Sequence, residues 1–430
     1  MTLLSLFDGS GSFPLVASMC GITPVYASEV EPYPIAVTRS RFPNMIHLGD
    51  VSTICGAAIR PCSVVTFGSP CTDISIAGRR EGIKHSDLGD EETTRSGLFM
   101  EAIRIVREMY NATNGKYPSF AVWENVPGAF NSNKGEDFRV VLEEFIKIVE
   151  PTAVMPPVPK GGWAYADMYC GDGWSLAYRI LDAQHCGIPQ RRRRVFLVLD
   201  LRGERAGKVL FERTRLCRDF EPIGAAWENN SHNSGNGVCT DGAESKTVER
   251  YLFENHSQDT RYNGPLNVCP TLPAQLGTGG NNTPFVVERN IHYYAMQGFG
   301  DYIESDVASS LKARDYKDAT DLIVSGDDEY YVRRLTPREC IALQGLPKNW
   351  GEIDHKDSFT PQEYQFWVDV RDTYAIINGK PIKDYTEKQM LTWYNKLHTD
   401  SAEYKMAGNG VAIPCVLYIM QGIAEALKSE

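Results

Sequence analysis

The chain lacks every cysteine pattern that would make its sulfur structural. Its eleven cysteines include no Cys-x-x-Cys pair and their number is odd, which argues against a zinc ribbon and against a disulfide framework. No secretory leader precedes them, so reduced thiols and a cytoplasmic location are expected. Long apolar runs are missing too. The stretch 411–420 is far short of the roughly 20 residues a membrane helix needs, and no membrane role is expected. Low-complexity tracts are absent, and 42% hydrophobic with 23% charged residues is an ordinary globular composition. At 430 residues the chain exceeds what one core of about 250 to 300 residues organises, so two or three domains are expected. Acids outnumber bases, 55 Asp and Glu against 44 Lys and Arg. The net charge of −11 disfavours a polyanionic partner, whose affinity rests on Lys and Arg contacts to phosphate. One strip departs from this: between His185 and Arg218 ten Lys or Arg stand against three acids, with Arg191 to Arg194 in a row.

Strand-like runs at Leu3 to Phe7, Val25 to Ala27, Val64 to Phe67, Phe120 to Trp123 and Val195 to Leu199 alternate with segments of helical spacing, such as Leu98, Ala102, Ile105, Val106 and Met109. That alternation predicts an α/β fold, a Rossmann-like and mostly parallel sheet with helices on both faces and a ligand crevice beyond the carboxyl ends of the strands. After about residue 205 the texture turns to Asn, Gly, Ser and Pro clusters, a smaller loop-rich domain. The expected division is 1–205 completed by 405–430, then 206–350, with 351–404 as a helical accessory insertion. Within the second domain 270–287 resembles 309–324, which hints at a duplication. Thr336-Pro337-Arg338-Glu339 and Thr360-Pro361-Gln362-Glu363 predict capped helix starts, and Pro414 opens a closing helix toward Leu427.

Cys71, in Gly68-Ser69-Pro70-Cys71-Thr72, follows a probable buried strand; a turn there suits a nucleophile at the mouth of a cleft. Phe7-Asp8-Gly9-Ser10-Gly11 sits between the first strand and a helix, where glycines let backbone approach a nucleotide-like ligand. Glu29 lies 18 residues past Gly11 at the end of the next strand, where an acid can accept ribose hydroxyls. Asp50 offers a carboxylate suited to an adenine amino group. Singly, each glycine or acid reads as an ordinary turn or exposed charge; in order, they favour adenosine. Glu124, at the end of another strand, would be raised into the same crevice, and burial there would raise its pKa. Arg192 and Arg194, two apart on entering a strand, share a face. Four arginines alone suggest a solvated edge or a localisation signal; a buried strand next to them favours an inward pair.

The order of these motifs resembles the DNA (cytosine-5) methyltransferases. The likeness also takes in Gly49-Asp50-Val51, Arg95-Ser96-Gly97-Leu98-Phe99, Glu124-Asn125-Val126, Gln190 to Arg194, Arg334 to Glu339 with Gln344-Gly345-Leu346-Pro347, and Ala407-Gly408-Asn409-Gly410-Val411, so it runs from one end of the chain to the other. It implies a fold that binds S-adenosylmethionine, double-stranded DNA as partner, no metal, a monomer, and a cytosine flipped out of the duplex. Cys71 would attack C6 of that base. Glu124 would hold its N3 proton and amino group, Arg194 its O2, and Arg192 the backbone or site walls. Phe7, Gly9, Ser10 and Gly11 would hold the cofactor, with Glu29 on the ribose, Val30, Asp50 and Val51 at the adenine, and Pro70, Leu98, Asn409 and Val411 closing the pocket. Ser75, Arg79, Arg80, Lys84 and Gln190 would touch DNA, although a plain exposed loop is an open reading for 72–95.

Two departures from the family pattern stand out: Thr72 follows the cysteine where glutamine is usual, and Gly410 replaces a serine or alanine. Residues 219–332, the expected recognition region, carry eighteen acids against seven Lys or Arg, so DNA reading there would rely on Asn, Gln, Ser and backbone groups. Rival readings are a transfer-RNA cytosine methyltransferase using the same pocket, a nucleotide-dependent oxidoreductase, and a non-catalytic DNA-binding relic. The length of the region beyond 205 favours DNA over RNA, and the Pro-Cys, Glu-Asn-Val and arginine blocks have no part in the oxidoreductase.

Overall fold

The computed structural model describes residues 1–69, 97–211, 249–255, 262–272, 283–289, 292–298, 301–304, 321–324 and 330–429. Its centre is an eight-stranded sheet of β1 (Thr2–Leu6), β2 (Thr23–Ser28), β3 (Ile46–His47), β4 (Val64–Phe67), β5 (Phe120–Asn125), β6 (Ala166–Gly171), β7 (Trp174–Asp182) and β8 (Arg193–Asp200). The strand order is β3-β2-β1-β4-β5-β8-β7-β6. The first five are parallel, whereas β8, β7 and β6 each pair antiparallel with the strand before it in that order. The five expected strands are all present, and the sheet is more mixed than the sequence suggested.

Period-two alternation sorts the strand side chains into two cores. Leu3, Val64, Phe120, Val122, Phe196 and Val198 turn to one face, where the helices Ser12–Met19 and Ile413–Lys428 cover them. Leu4, Val65, Phe67, Trp123, Leu197 and Leu199 turn to the other, under Leu98–Ala112 and Glu136–Ile146. The first of these two helices buries Phe99, Ala102, Ile103, Ile105, Val106 and Met109, a stripe at helical spacing; each of these side chains larger than alanine contributes about 1.5 to 3 kcal/mol when fully buried.

The first core crosses both expected boundaries, since it takes in Leu252, Leu272 and Val286 as well. Helix Ala206–Leu210 packs in it at one end and Leu335, Ile341, Leu346 and Trp350 at the other. Between these points lie a four-stranded sheet (249–255, 262–266, 285–289, 330–334) and a three-stranded one (292–298, 301–304, 321–324). The strands from the two similar segments, Phe285–Arg289 and Asp321–Val324, fall in different sheets, so the hinted duplication does not produce equivalent units; 309–313 lie outside the described residues.

Both expected capping boxes form, Thr336 with Glu339 and Thr360 with Glu363, and Thr386 with Gln389 makes a third. The insertion folds as helices Pro361–Ile377 and Glu387–Tyr394, which bury Phe359, Trp367, Val370, Met390 and Tyr394 against Ile35 and Ala36 of helix Pro32–Arg41. Among the described residues no single helix is long and apolar enough to cross a membrane.

Candidate active site

The candidate groups gather at the carboxyl ends of β1, β4 and β5, which lie side by side in the sheet. Phe7, Gly9 and Gly11 all hold positive φ, at 52°, 54° and 74°, so the chain leaves β1 in a tight turn before the helix Ser12–Met19. A side chain at position 11 would meet Thr38 Cγ2 at 2.8 Å, which adds a steric need for glycine to the conformational one. The carbonyl of Ser10 accepts from Trp350 Nε1 at 2.7 Å, so the segment 340 residues away in sequence shapes this turn. A Cβ at Gly410 would stand 3.1 Å from Ser10 Oγ. Glycine there is thus matched to the serine in the first loop, a physical account of the second departure from the family pattern.

Glu29 reaches into the turn from β2 and accepts three backbone N–H groups: Gly9 at 2.8 Å on Oε2, and Val30 and Glu31 at 2.7 and 2.9 Å on Oε1. A carboxylate offers about four acceptor positions, so one remains for a ribose hydroxyl rather than the two expected. Burial raises its pKa while the three N–H groups oppose the rise. Glu29→Ala is expected to weaken S-adenosylmethionine binding by about 1 to 3 kcal/mol by calorimetry, and an unchanged affinity would place the cofactor elsewhere.

Asp8 is 6% exposed; its Oδ1 accepts from Ser5 at 2.6 Å and its Oδ2 has no partner. Burial pushes this carboxyl up to about 8, opposed by the Ser5 hydroxyl and helped by Glu29. A raised carboxyl stabilises the fold by holding its proton. That stability is fully present below the unfolded carboxyl value and is lost as pH rises through about 8. Asp8→Asn is therefore expected to gain stability on wild type between pH 5 and 9, by about 2 kcal/mol allowing for relaxation around the charge; a difference that does not change with pH in denaturant titrations would refute this.

Of the other cofactor candidates, Val30, Asp50, Leu98, Asn409 and Val411 border the solvent. Asp50 caps a short turn by accepting from Ser52 N at 2.9 Å. Val51 is corrected: it is 3% exposed inside the second core, with Arg104 donating to its carbonyl, so its side chain is packed with the core. Pro70, Cys71, Ser75, Arg79, Arg80 and Lys84 lie outside the described residues, which stop at Ser69, directly after β4.

That last stretch is tied to β5. Trp123 Nε1 donates to Ser69 Oγ at 3.2 Å and Asn125 Nδ2 to Ser69 O at 3.1 Å. Between them Glu124 is 8% exposed; its Oε1 meets Arg194 Nε at 3.0 Å and its Oε2 comes within 3.1 Å of where a Cβ on Gly68 would stand. Burial raises the Glu124 pKa against the opposing pull of Arg194 and then Arg192, the direction expected from sequence. A glutamate so placed can hold a proton where a water-exposed one would not.

The arginine block divides as alternation requires, Arg191 and Arg193 exposed, Arg192 buried and Arg194 half-buried. Arg192, expected among the catalytic groups on the backbone or site walls, is a positioning residue held by backbone carbonyls. At 2% exposure its guanidinium donates to the carbonyls of Leu272 at 3.1 Å, Gly408 at 2.9 Å and Gly410 at 2.6 Å, joining the segment at Leu272 to the one that returns to the first loop. Gln190, expected on DNA, is 0% exposed, with a side-chain amide that has no hydrogen-bond partner among the described residues. It sits where Arg191 N and Cys269 O pair at 2.8 Å, sealed from any duplex. Alternation flagged the burial of Arg192; nothing local flagged that of Gln190.

The strand order, the left-handed turn after β1 and the carboxylate–guanidinium pair at the end of β5 coincide with a sequence match. The profile described as C-5 cytosine-specific DNA methylase covers residues 1–149 and 167–366. The chain belongs to that family. Among its relatives, the "DNA N-6-adenine-methyltransferase" of Escherichia phage P1 is 27% identical over 95% of this chain and 59% of its own length. "Type II methyltransferase M.Bsp6I" of a Bacillus species is 23% identical over 81% of this chain and 89% of its own. The chain thus spans little more than half of the first relative and most of the second. A solved structure of the Entamoeba histolytica methyltransferase EhMeth aligns over 99% of this chain and 98% of its own at 14% identity and a TM-score of 0.49. Among the described residues no cluster of His, Cys, Asp or Glu could hold a metal ion.

Proposed function

We propose that this protein transfers a methyl group from S-adenosylmethionine to C5 of a cytosine flipped out of a specific duplex DNA sequence, through a covalent Cys71 adduct at C6. The observation that supports it most is the buried Glu124–Arg194 pair, one strand from the end of β4, after which Cys71 follows in sequence.

Cytosine C5 is a poor nucleophile. A thiolate adding at C6 pushes the electron pair of the ring double bond toward C5, and a proton held by Glu124 at N3 offsets the charge that develops on the ring. Arg194, fixed by its ion pair and by its donation to Arg193 O at 2.8 Å, presents a cation to O2. After transfer, loss of the C5 proton and expulsion of the thiolate restore the ring.

The turn after β1 fits the cofactor: it exposes backbone in the left-handed region, flanked by Glu29 and by the unpartnered oxygen of buried Asp8. S-adenosylmethionine supplies an electrophilic methyl group when bound. Phe7, Gly9, Ser10 and Gly11 would hold it, with Glu29 on its ribose, Val30 and Asp50 on its adenine, and Pro70, Leu98, Asn409 and Val411 along its edge.

Nucleoside analysis of duplex DNA and of transfer RNA incubated with the protein and labelled cofactor tests this reading. 5-Methylcytosine in duplex DNA is expected. Label confined to RNA, or N6-methyladenine as the product, would overturn it; amino-nitrogen methylation needs no attacking thiol.

A further inference from the structure

The family match skips residues 150–166, a stretch containing Pro151, Pro156, Pro157, Pro159, Gly161 and Gly162. It is nonetheless anchored. Trp163 Nε1 donates to Gly135 O at 2.9 Å, the Trp163 ring meets Phe138 edge-on at 5.4 Å, and Tyr165 O accepts from Ile180 N at 2.9 Å. Tyr165 is 67% exposed, yet its ring lies under the Arg193 guanidinium at 5.2 Å, within cation–π range.

Register places this pair. Asn125 faces Val195, and Asp182 faces Arg193, so Arg193 stands at the crevice end of the sheet. Arg194 and Glu124 turn to the face on which Leu252, Leu272 and Val286 of the recognition region pack; alternation turns Arg193 to the opposite face. On that same face, between β5 and helix Glu136–Ile146, lies a turn in which Asn133 (φ 46°, ψ 47°) and Lys134 (φ 57°, ψ 27°) are both left-handed. Two consecutive non-glycine residues held there cost of order 1 to 3 kcal/mol each, strain that clusters at functional sites. The acids beside the turn are already engaged, Asp137 with Ser132 and Asn133, Glu136 with Arg139. Lys134, Lys160 and Arg193 are exposed.

A duplex presenting a base to the strand ends straddles the sheet. The recognition region, with its eighteen acids against seven Lys or Arg, attracts phosphate poorly on its side. We infer that Lys134, Lys160, Tyr165 and Arg193 form a ledge that grips the phosphate backbone of the duplex on the face opposite the recognition region. This rests on the reading that a duplex is the substrate. Tyr165 holds the guanidinium level, and the three cations displace counterions.

The test is titration of a fluorescent duplex by anisotropy at several salt concentrations. Lys134→Ala/Lys160→Ala/Arg193→Ala is expected to lower the slope of log affinity against log salt by about 2 to 3, at about 0.9 per phosphate contact, and to weaken binding about 10- to 100-fold near 0.1 M salt. Tyr165→Ala is expected to weaken binding about 3- to 10-fold. Cofactor affinity and sequence preference should not move. A triple variant with the wild-type slope and affinity would overturn the ledge alone. A wild-type protein that binds no duplex at any salt would overturn the duplex reading and the ledge together.

Discussion

Cys71→Ser is expected to reduce methyl transfer below detection while leaving S-adenosylmethionine affinity near wild type. A thiol ionises near pH 8.5 and is a strong nucleophile even when only partly ionised, whereas a serine hydroxyl needs a base to activate it. Everything downstream in the proposed reaction waits on the addition at C6, because C5 gains electron density only then. The groups assigned to the cofactor lie in the turn after β1 and around Glu29, built by Trp350 and the Glu29 carboxylate rather than by Cys71. A transfer assay and a calorimetric titration therefore separate chemistry from binding. A duplex carrying 5-fluorocytosine in the target sequence adds a covalent readout: fluorine cannot leave C5 as a proton does, so the wild-type protein should become permanently linked at Cys71 and the serine variant should not. Residual transfer above about 1% of wild type, or a large loss of cofactor affinity, would count against the assignment.

Arg192→Ala is expected to destabilise the fold by about 2 to 4 kcal/mol, since a buried acceptor left without its donor costs about 1 to 3 kcal/mol and the vacated volume adds to it. The guanidinium satisfies carbonyls on two segments, Leu272 on one side and Gly408 with Gly410 on the other. Alanine leaves those acceptors buried without donors and opens a cavity between them. Arg192→Lys should recover only part of the loss, since one ammonium on a flexible stem does not reproduce a planar fork reaching both segments. Denaturant unfolding of the three proteins measures this, and a cost below about 1 kcal/mol for the alanine variant would show that the tether is dispensable. Because it joins the segment at Leu272, in the proposed recognition region, to the segment against Ser10, its loss should also raise the DNA concentration needed for half-maximal rate more than it lowers the rate itself.

Much of the site could be read along the chain. The turn residues after β1, the acid at the end of β2 and the glutamate at the end of β5 each depend on neighbours within one strand-turn unit. Glu124 stands at the strand end because Phe120 to Trp123 form a fully buried strand, which the apolar run already indicates. The helix starts at Thr336 and Thr360 were legible for the same reason, since a capping box closes over three residues. Less visible were β6 and β7. The outward positions of β6 are exposed and mixed in polarity, so its apolar signal is weak, and the antiparallel turn of the sheet at β8 has no local marker.

The sequence by itself determined the order of the motifs, the two-faced alternation of the strands and the identity of the groups that meet at the strand ends. Those depend on spacing and on the chemistry of single residues. Only the tertiary structure decided that Arg192 is a tether, that Gln190 is sealed in, that Glu29 spends one acceptor position on the turn after β1 beside two on its own loop, and that the insertion seats on helix Pro32–Arg41. These outcomes turn on partners 80, 216 or 218 residues away for Arg192 and 20 for Glu29. A hydrogen bond forms between whichever groups the folded chain brings together, and no spacing along the chain records which distant carbonyl will arrive.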